Sequence, residues 1–288
     1  MEMISERTMT DAEFALLRAL MYEHSGIDLK ESKRELLKGR LAKRLRHHGY
    51  QTFAQYYDRL KNQDPDGSEL QEMINAVTTN KTSFFREGHH FDCLRDRILL
   101  PACRAAAQGK RPRIRIWSAG CSTGEEPYTI AITVAAHLDR LAAWDVKVLG
   151  SDIDTSVLAK ARAATYPTES VSDLPPDLVR QNFLCGRGEQ DGFVQLKPEI
   201  RNLVRFGQVN LMAPTWPFRG KFDAIFCRNV MIYFDRDVQR LVLEKFARYL
   251  KPNGLFFAGH SENLFWLGDS FHPIGGTVYE VTGTQGNV

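Results

Sequence analysis

Residues 114–154 read IRIWSAGCSTGEEPYTIAITVAAHLDRLAAWDVKVLGSDID, and this stretch decides the fold. Ile114 to Trp117 is a short apolar-rich run that suits a buried strand. A turn of small residues follows, in which Gly120 and Gly124 can take backbone angles that a side chain forbids. From Glu125 to about Leu141 the apolar positions recur at helical spacing, with Pro127 tolerated in the first turn. A second strand, Val146 to Gly150, runs into Asp152 and Asp154. Strand, glycine turn, helix, strand and terminal acid is an arrangement that holds a nucleoside. The turn lets the backbone approach the ligand, and the carboxylate accepts from ribose hydroxyls.

The pattern by itself does not name the ligand. A dinucleotide site wants G-x-G-x-x-G and helix amides facing a pyrophosphate. Here the run is AGCSTGEEP, with Glu125 and Glu126 where a diphosphate would arrive, and like charges there are costly. A ligand with ribose but no phosphate fits better, and S-adenosylmethionine is one. Taken alone, the glycines also suit an ordinary tight turn whose acids favour a helix N-terminus.

The chain has 288 residues, room for one large domain or two smaller ones. With 43% hydrophobic and 25% charged residues it has the composition of a soluble globular protein. No run approaches the ~18 apolar residues of a membrane span, and the polar, acidic start MEMISERTMTDAEF does not resemble a secretory signal. The five cysteines show neither C-x-x-C nor metal-ligand spacing, which points to buried thiols, a cytoplasmic location and no metal. A net charge of +3 is too small to imply nucleic acid.

Residues 9 to about 75 read as all-helical, opened by a capping box at Thr10 and Glu13 and punctuated by Gly26 and Gly49. The second helix is strongly basic. Between Lys30 and Arg46 stand eight Lys or Arg and two acids, around an apolar stripe of Leu37, Leu41 and Leu45. Arg34, Lys38, Arg40, Lys43 and Arg44 make either a solvated face or a docking face for an acidic partner. RNA has little to support it, because no aromatic platform accompanies the charge. The segment NKTSFFREGHHF (80–91) holds Asn80, Thr82 and Arg86, polar residues that helix building does not require. Phe84, Phe85 and Phe91 read as core, and His89 and His90 as structural.

The expected organisation is a helical domain over residues 1–80, a linker helix over 81–110 and an α/β domain over 111–288. Past Asp154 comes a helix, SVLAKARAATYP. Within about 171–197, Phe183 to Cys185 and Phe193 to Leu196 suit a two-stranded hairpin around Gly186, Gly188 and Gly192. It reads as an insertion with an open edge, either decoration or an acceptor for an added peptide strand, with Arg187 at its turn. Further strands are expected at Val204 to Phe206, Phe222 to Phe226 and Leu255 to Ala258, with Lys251 to Gly254 a turn. Phe271 to Ile274 and Val278 to Val281 suit a terminal antiparallel pair. Gly120, Asp152, Asn210, Arg228, Asn229 and Tyr233 then fall at strand ends on one rim of a doubly wound sheet.

At these residues the chain resembles the chemotaxis receptor methyltransferase family, enzymes that esterify chemoreceptor glutamates using S-adenosylmethionine. The resemblance covers about residues 10–282. It is carried by TTNKTSFFRE (78–87), SAGCSTGEEPYT (118–129), SDID (151–154), VNLM (209–212) and CRNVMIYF (227–234). It implies a Rossmann-like methyltransferase sheet with a helical N-terminal domain and an inserted β-subdomain. It also implies cofactor contacts at Asn80, Thr82, Arg86, Glu125, Asp152, Asn210 and Leu211, and a methyl-transfer end at Arg228, Asn229 and Tyr233. The basic helix matches the family's receptor-facing helix. In some members the β-subdomain holds a peptide at the receptor's C-terminal tail, and the glycine-rich turn here matches that longer form. The expected products are glutamate methyl ester and S-adenosylhomocysteine, and the expected state is a monomer.

Chemistry agrees with that resemblance. A glutamate of pKa about 4.3 is ionised at neutral pH, so attack on a sulfonium methyl requires no general base. Arg228-Asn-Val-Met stands where nitrogen methyltransferases of this fold carry an N/D-P-P-Y/F loop. A nicotinamide-dependent oxidoreductase would share the sheet but not the acidic glycine loop. A catalytically silent receptor-binding module would share every motif.

Overall fold

A computed structural model describes residues 8–138, 143–262, 264 and 270–282. The first helix, α1 (Asp11–Ser25), starts at a capping box: Thr10 Oγ1 accepts from the Glu13 amide at 3.2 Å, and Glu13 Oε2 accepts from the Thr10 amide at 2.9 Å. It stops at Gly26, whose φ of 72° is open to glycine. A single 3₁₀ turn, Glu31–Lys33, precedes α2 (Arg34–His48), and α3 (Phe53–Asn62) and α4 (Ser68–Val77) follow. The α2 stripe of Leu37, Leu41 and Leu45 is fully buried, closing a core with Phe14, Leu17, Phe53, Tyr56 and Met73.

Helix α5 (His89–Leu94), a π-helical turn at Arg95–Leu99 and α6 (Leu100–Ala107) form a continuous run into the sheet domain. Strand β1 (Arg113–Ala119), α7 (Glu125–His137) and β2 (Asp145–Asp152) realise the strand–turn–helix–strand reading. Residues 139–142, part of the expected helix, lie outside the described residues. Helix α8 (Thr155–Ala163) is capped by Asp154, which accepts from the Ser156 and Val157 amides.

Here the chain departs from the expected helix through Pro167. Ala164 turns left-handed at φ 52°, and Thr165–Pro167 becomes strand β3. After α9 (Pro176–Asn182), strands β4 (Phe183–Cys185) and β5 (Phe193–Leu196) pair antiparallel. Strand β5 also pairs with β3, giving a three-stranded sheet in the order β3-β5-β4. The expected two-stranded hairpin is thus one half of this unit. Strand β3 follows directly on the helical spacing of α8 and exists through its pairing with β5, which is why it escaped the sequence pattern.

Helix α10 (Pro198–Arg201) leads to β6 (Val204–Gln208) and β7 (Phe222–Cys227), and α11 (Arg236–Tyr249) to β8 (Leu250–Ala258). Lys251 to Gly254, expected as a turn, lies within β8 beside a register irregularity in its pairing with β7. Strands β9 (Phe271–Gly275) and β10 (Val278–Val281) close the chain. The seven-stranded order is β6-β2-β1-β7-β8-β10-β9, parallel except for antiparallel β10.

Alternation along β1 sends Ile116 and Trp117 to opposite faces. Ile116 joins Ile130, Val148 and Phe226 in the core that α7 covers; Trp117 joins Ile225, Phe246 and Phe256 in the core that α11 covers. Chain order reverses between β1 and β7, so the ligand crevice of such a sheet falls at their carboxyl ends. Among the described residues no helix is long and apolar enough to cross a membrane.

Candidate active site

The glycine turn forms one wall of that crevice. Gly120 has φ +75°, and a Cβ there would collide with Val230 Cγ2, so both conformation and space favour glycine. The Gly120 and Cys121 amides both donate to the Ser151 carbonyl at 2.8 Å. Asp152 ends β2 with its carboxylate buried. Its Oδ2 accepts from the Ser122 amide at 2.8 Å and Oδ1 from the Asp154 amide at 3.0 Å. Burial pushes the Asp152 carboxyl above its ordinary value, and these amides oppose the shift.

The helical unit is stitched to this turn. Asn80 Nδ2 and Thr78 Oγ1 both donate to Asp154 Oδ2 at 2.8 Å, while Ser122 Oγ donates to the Asn80 carbonyl at 2.9 Å. On another wall, Asn210 Nδ2 donates to the His24 carbonyl at 2.6 Å, and its Oδ1 accepts from the Met212 amide at 2.9 Å. The amide of Asn210 therefore joins α1 to the exit of β6. Leu211 beside it is buried.

The exit of β7 supplies the remaining side. Arg228, its side chain 3% exposed, lies between Glu87 and Glu126 at 3.1 Å from each, and donates to the Arg86 carbonyl. Glu126 also accepts from Ser118 Oγ at 2.7 Å. Burial drives both carboxyls upward. For Glu87 the Arg228 charge wins and holds it below its ordinary value, whereas Glu126 stays raised. Arg228 is thus committed to a buried ion cluster. Arg86 donates to the Lys81 carbonyl at 3.2 Å, and its side chain keeps 38% exposure, so its guanidinium has donors to spare. The Tyr233 carbonyl accepts from the Asp28 amide at 2.8 Å, and its ring is half-buried.

These walls enclose a cleft of about 640 Å³ between the helical unit and the sheet. Asn80, Thr82, Arg86, Gly120 and Asp152 line it, as do Asn210, Leu211, Arg228, Asn229 and Tyr233. Glu125 stands apart from that lining. Its Oε2 accepts from Thr123 Oγ1 at 2.6 Å, and burial raises its carboxyl. The neighbouring Glu126 lines the cleft instead. Successive helix residues point about 100° apart, so which acid of the pair faces inward depends on a helix phase that the sequence leaves open.

The basic helix is also rearranged relative to its sequence reading. Arg40 donates to the Val77 and Thr78 carbonyls and to Thr79 Oγ1, and itself lines the cleft. Arg44 is clamped on the buried Glu69. Arg34 pairs with Asp11 and Glu31, and Lys38 with Glu35. Lys43 and Arg46 point outward, while Lys30 and Lys33 are exposed at the cleft mouth. On the small sheet Arg187 is exposed, and Gly188 and Gly192 have φ +63° and +80° with open space where a Cβ would lie. These glycines serve the turn's own conformation.

His90 is buried against the Gly276 carbonyl and Thr277, in keeping with a structural role, and burial lowers it to about 4. Among the described residues no group of three His, Cys, Asp or Glu is placed to hold a metal ion. Sequence reasoning also passed over Ser122, whose amide donates to Asp152 thirty residues on, and Glu262, whose carboxylate takes amides of the β7 exit; such contacts between segments leave no local signal.

The donor set fits an adenosyl cofactor. A glycine turn with no room for a Cβ gives backbone approach, Asp152 supplies an acceptor beside it, and the inward Glu126 disfavours a diphosphate. Fold and site together define a methyltransferase of the Rossmann-like class. The chain matches the family models described as CheR methyltransferase, SAM binding domain, over residues 80–280, and CheR methyltransferase, all-alpha domain, over residues 12–78. Chemotaxis protein methyltransferase 2 of Pseudomonas aeruginosa is 45% identical over 272 residues, 94% of this chain and 93% of that one. The chemotaxis protein methyltransferase of Escherichia coli is 42% identical over 283 residues, 98% and 95% of the two chains. This chain belongs to the CheR chemotaxis methyltransferase family. It is a protein-glutamate O-methyltransferase that acts on chemoreceptors with S-adenosylmethionine.

Proposed function

We propose that the cleft between the helical unit and the sheet is where a receptor glutamate and the cofactor meet. Asp152 holds the cofactor ribose, and Gly120, Asn80, Thr82 and Leu211 shape its walls. Arg86 and Tyr233 take the reacting end. One observation carries this assignment: Arg86 and Tyr233, both only partly buried, line the same 640 Å³ cleft as the glycine turn and Asp152. The cofactor supplies a sulfonium-activated methyl group. Arg86 orients a carboxylate with its free donors, Tyr233 packs beside the reacting end, and the surrounding apolar wall excludes water. A carboxylate and a sulfonium cancel their charges on reaction, so a water-poor cleft favours the step. Arg228 braces the site from behind through the Glu87–Glu126 cluster, and Asn229 stands at the reacting end with Tyr233.

We further infer a division into a receptor-facing helical domain to about residue 80, a linker helix and a methyltransferase domain bearing the small sheet. A cytoplasmic monomer is the proposed working state. Lys43 and Arg46 guide the acidic receptor bundle, and the open edge of β4 with Arg187 receives the receptor's C-terminal peptide as an added strand. The test is transfer of labelled methyl from S-adenosylmethionine to receptor-bearing membranes, read as alkali-labile ester. Cofactor binding without any ester would assign a silent receptor-binding module instead.

A further inference from the structure

Glu262 lies just beyond β8 and is 3% exposed. Its carboxylate accepts from backbone N–H groups on two different loops. Oε2 takes the amides of Gly259 at 2.6 Å and Asn229 at 2.9 Å, and Oε1 takes the amide of Met231 at 2.7 Å. Two of those three amides belong to the β7 exit, which carries Asn229 and, through the 3₁₀ turn Met231–Tyr233, Tyr233 itself.

That exit needs holding. Asn229 sits at φ +61°, a left-handed conformation that a non-glycine residue keeps only where its surroundings fix it. The two loops are in contact without slack: a Cβ on Gly259 would lie 2.6 Å from Asn229 Nδ2 and 2.9 Å from its amide nitrogen. The far end of the turn is tied separately, by the Asp28 amide donating to the Tyr233 carbonyl. Glu262 is therefore the group that fixes the near end of the segment presenting Asn229 and Tyr233 to the cleft.

We propose that Glu262 is a positioning residue for methyl transfer, setting Asn229 and Tyr233 against the reacting end without touching either substrate. This rests on the reading of that cleft as the methyl-transfer site. Glu262→Gln keeps the shape but has a single acceptor oxygen, so at least one loop amide faces an NH₂ group that cannot accept from it. A misplacement of this kind is expected to lower kcat by about tenfold or more. Calorimetric affinity for S-adenosylhomocysteine should change less than threefold, and amide exchange at residues 229–231 should quicken in the cofactor-free protein. Unchanged exchange at those amides, or unchanged kcat, overturns the proposal. So does a loss that appears mainly in cofactor affinity with exchange raised across the whole sheet, which is a general folding defect. If the Gln variant fails to fold, Glu262→Asp retains the charge on a shorter arm, and the same readouts decide. Wild-type cofactor binding and ester formation are measured alongside; their failure would count against the site and not against Glu262 alone.

Discussion

Arg44→Ala is the perturbation that best separates structure from docking on the basic helix. Arg44 Nε donates to Glu69 Oε1 at 2.9 Å, and a second bond runs from Nη2 to Oε2. Tyr56 Oη and His48 Nε2 each lie 2.7 Å from the same carboxylate, which is 4% exposed. Deleting the guanidinium leaves a buried carboxylate with two weaker partners. Breaking such a pair costs about 3–5 kcal/mol, and the surviving Tyr56 and His48 contacts put this case at about 3. Burial opposes ionisation of Glu69, yet Arg44, Tyr56 and His48 together bring it from 4.5 to about 2; that shift is worth roughly 3 kcal/mol shared among the three partners, of which Arg44 alone brings a full charge. Because the folded value is depressed, this stabilisation is complete above about pH 4.5 and fades as pH falls toward 2. Urea unfolding followed by circular dichroism should show the full deficit at pH 7 and a smaller one at pH 3. Lys43→Glu, on the outward face, should stay within about 0.5 kcal/mol of wild type. A loss below about 0.5 kcal/mol for Arg44→Ala would mean a solvent-screened pair and return Arg44 to the docking surface.

Asp152→Ala should weaken S-adenosylhomocysteine binding by about tenfold or more in calorimetry while the far-UV spectrum stays native; unchanged affinity removes Asp152 from the cofactor site. The double variant Lys43→Glu, Arg46→Glu should flatten the salt dependence of receptor methylation without altering cofactor affinity, whereas Arg40→Ala should weaken cofactor binding, because Arg40 braces the cleft wall. Arg187→Glu should weaken binding of receptor tail peptides to the small sheet, measured by titration with the purified protein, and equal affinity would assign that sheet to scaffold.

Local signals in the sequence were enough for the architecture. The capping box at Thr10, the leucine stripe of α2 and the turn between β1 and α7 each draw on neighbours within four residues, and each stands where it was expected. The rim residues were legible for the same reason, since strand ends follow from strand positions. What was not legible depends on contacts across the chain. Arg40 and Arg44 look like surface charge until α4 brings the Val77 carbonyl and Glu69 beneath them. Glu126 could not be told from Glu125 before α7 had a rotation, and Glu262 carries no motif because two of its three amide partners lie about thirty residues away. Strand β3 forms only because β5 is there to pair with it.

These same long-range contacts make the helical unit one wall of the cleft. Arg40 on α2 donates to the Thr78 carbonyl at 2.5 Å, and the hydroxyl of Thr78 and the amide of Asn80 both reach Asp154. The Asn80 carbonyl accepts from Ser122 Oγ at 2.9 Å, and the Ser122 amide donates to Asp152 Oδ2 at 2.8 Å. A continuous hydrogen-bonded path thus runs from the basic helix to the buried acid at the end of β2, with no side chain in it left to the solvent side alone. The outward charges Lys43 and Arg46 and the inward clamp Arg40 share one helix of four turns, so the proposed docking surface and one wall of the cleft belong to the same element. A helical domain that served only for docking would tolerate a loose tether, whereas here its loss would also open the cleft at Val77–Thr82.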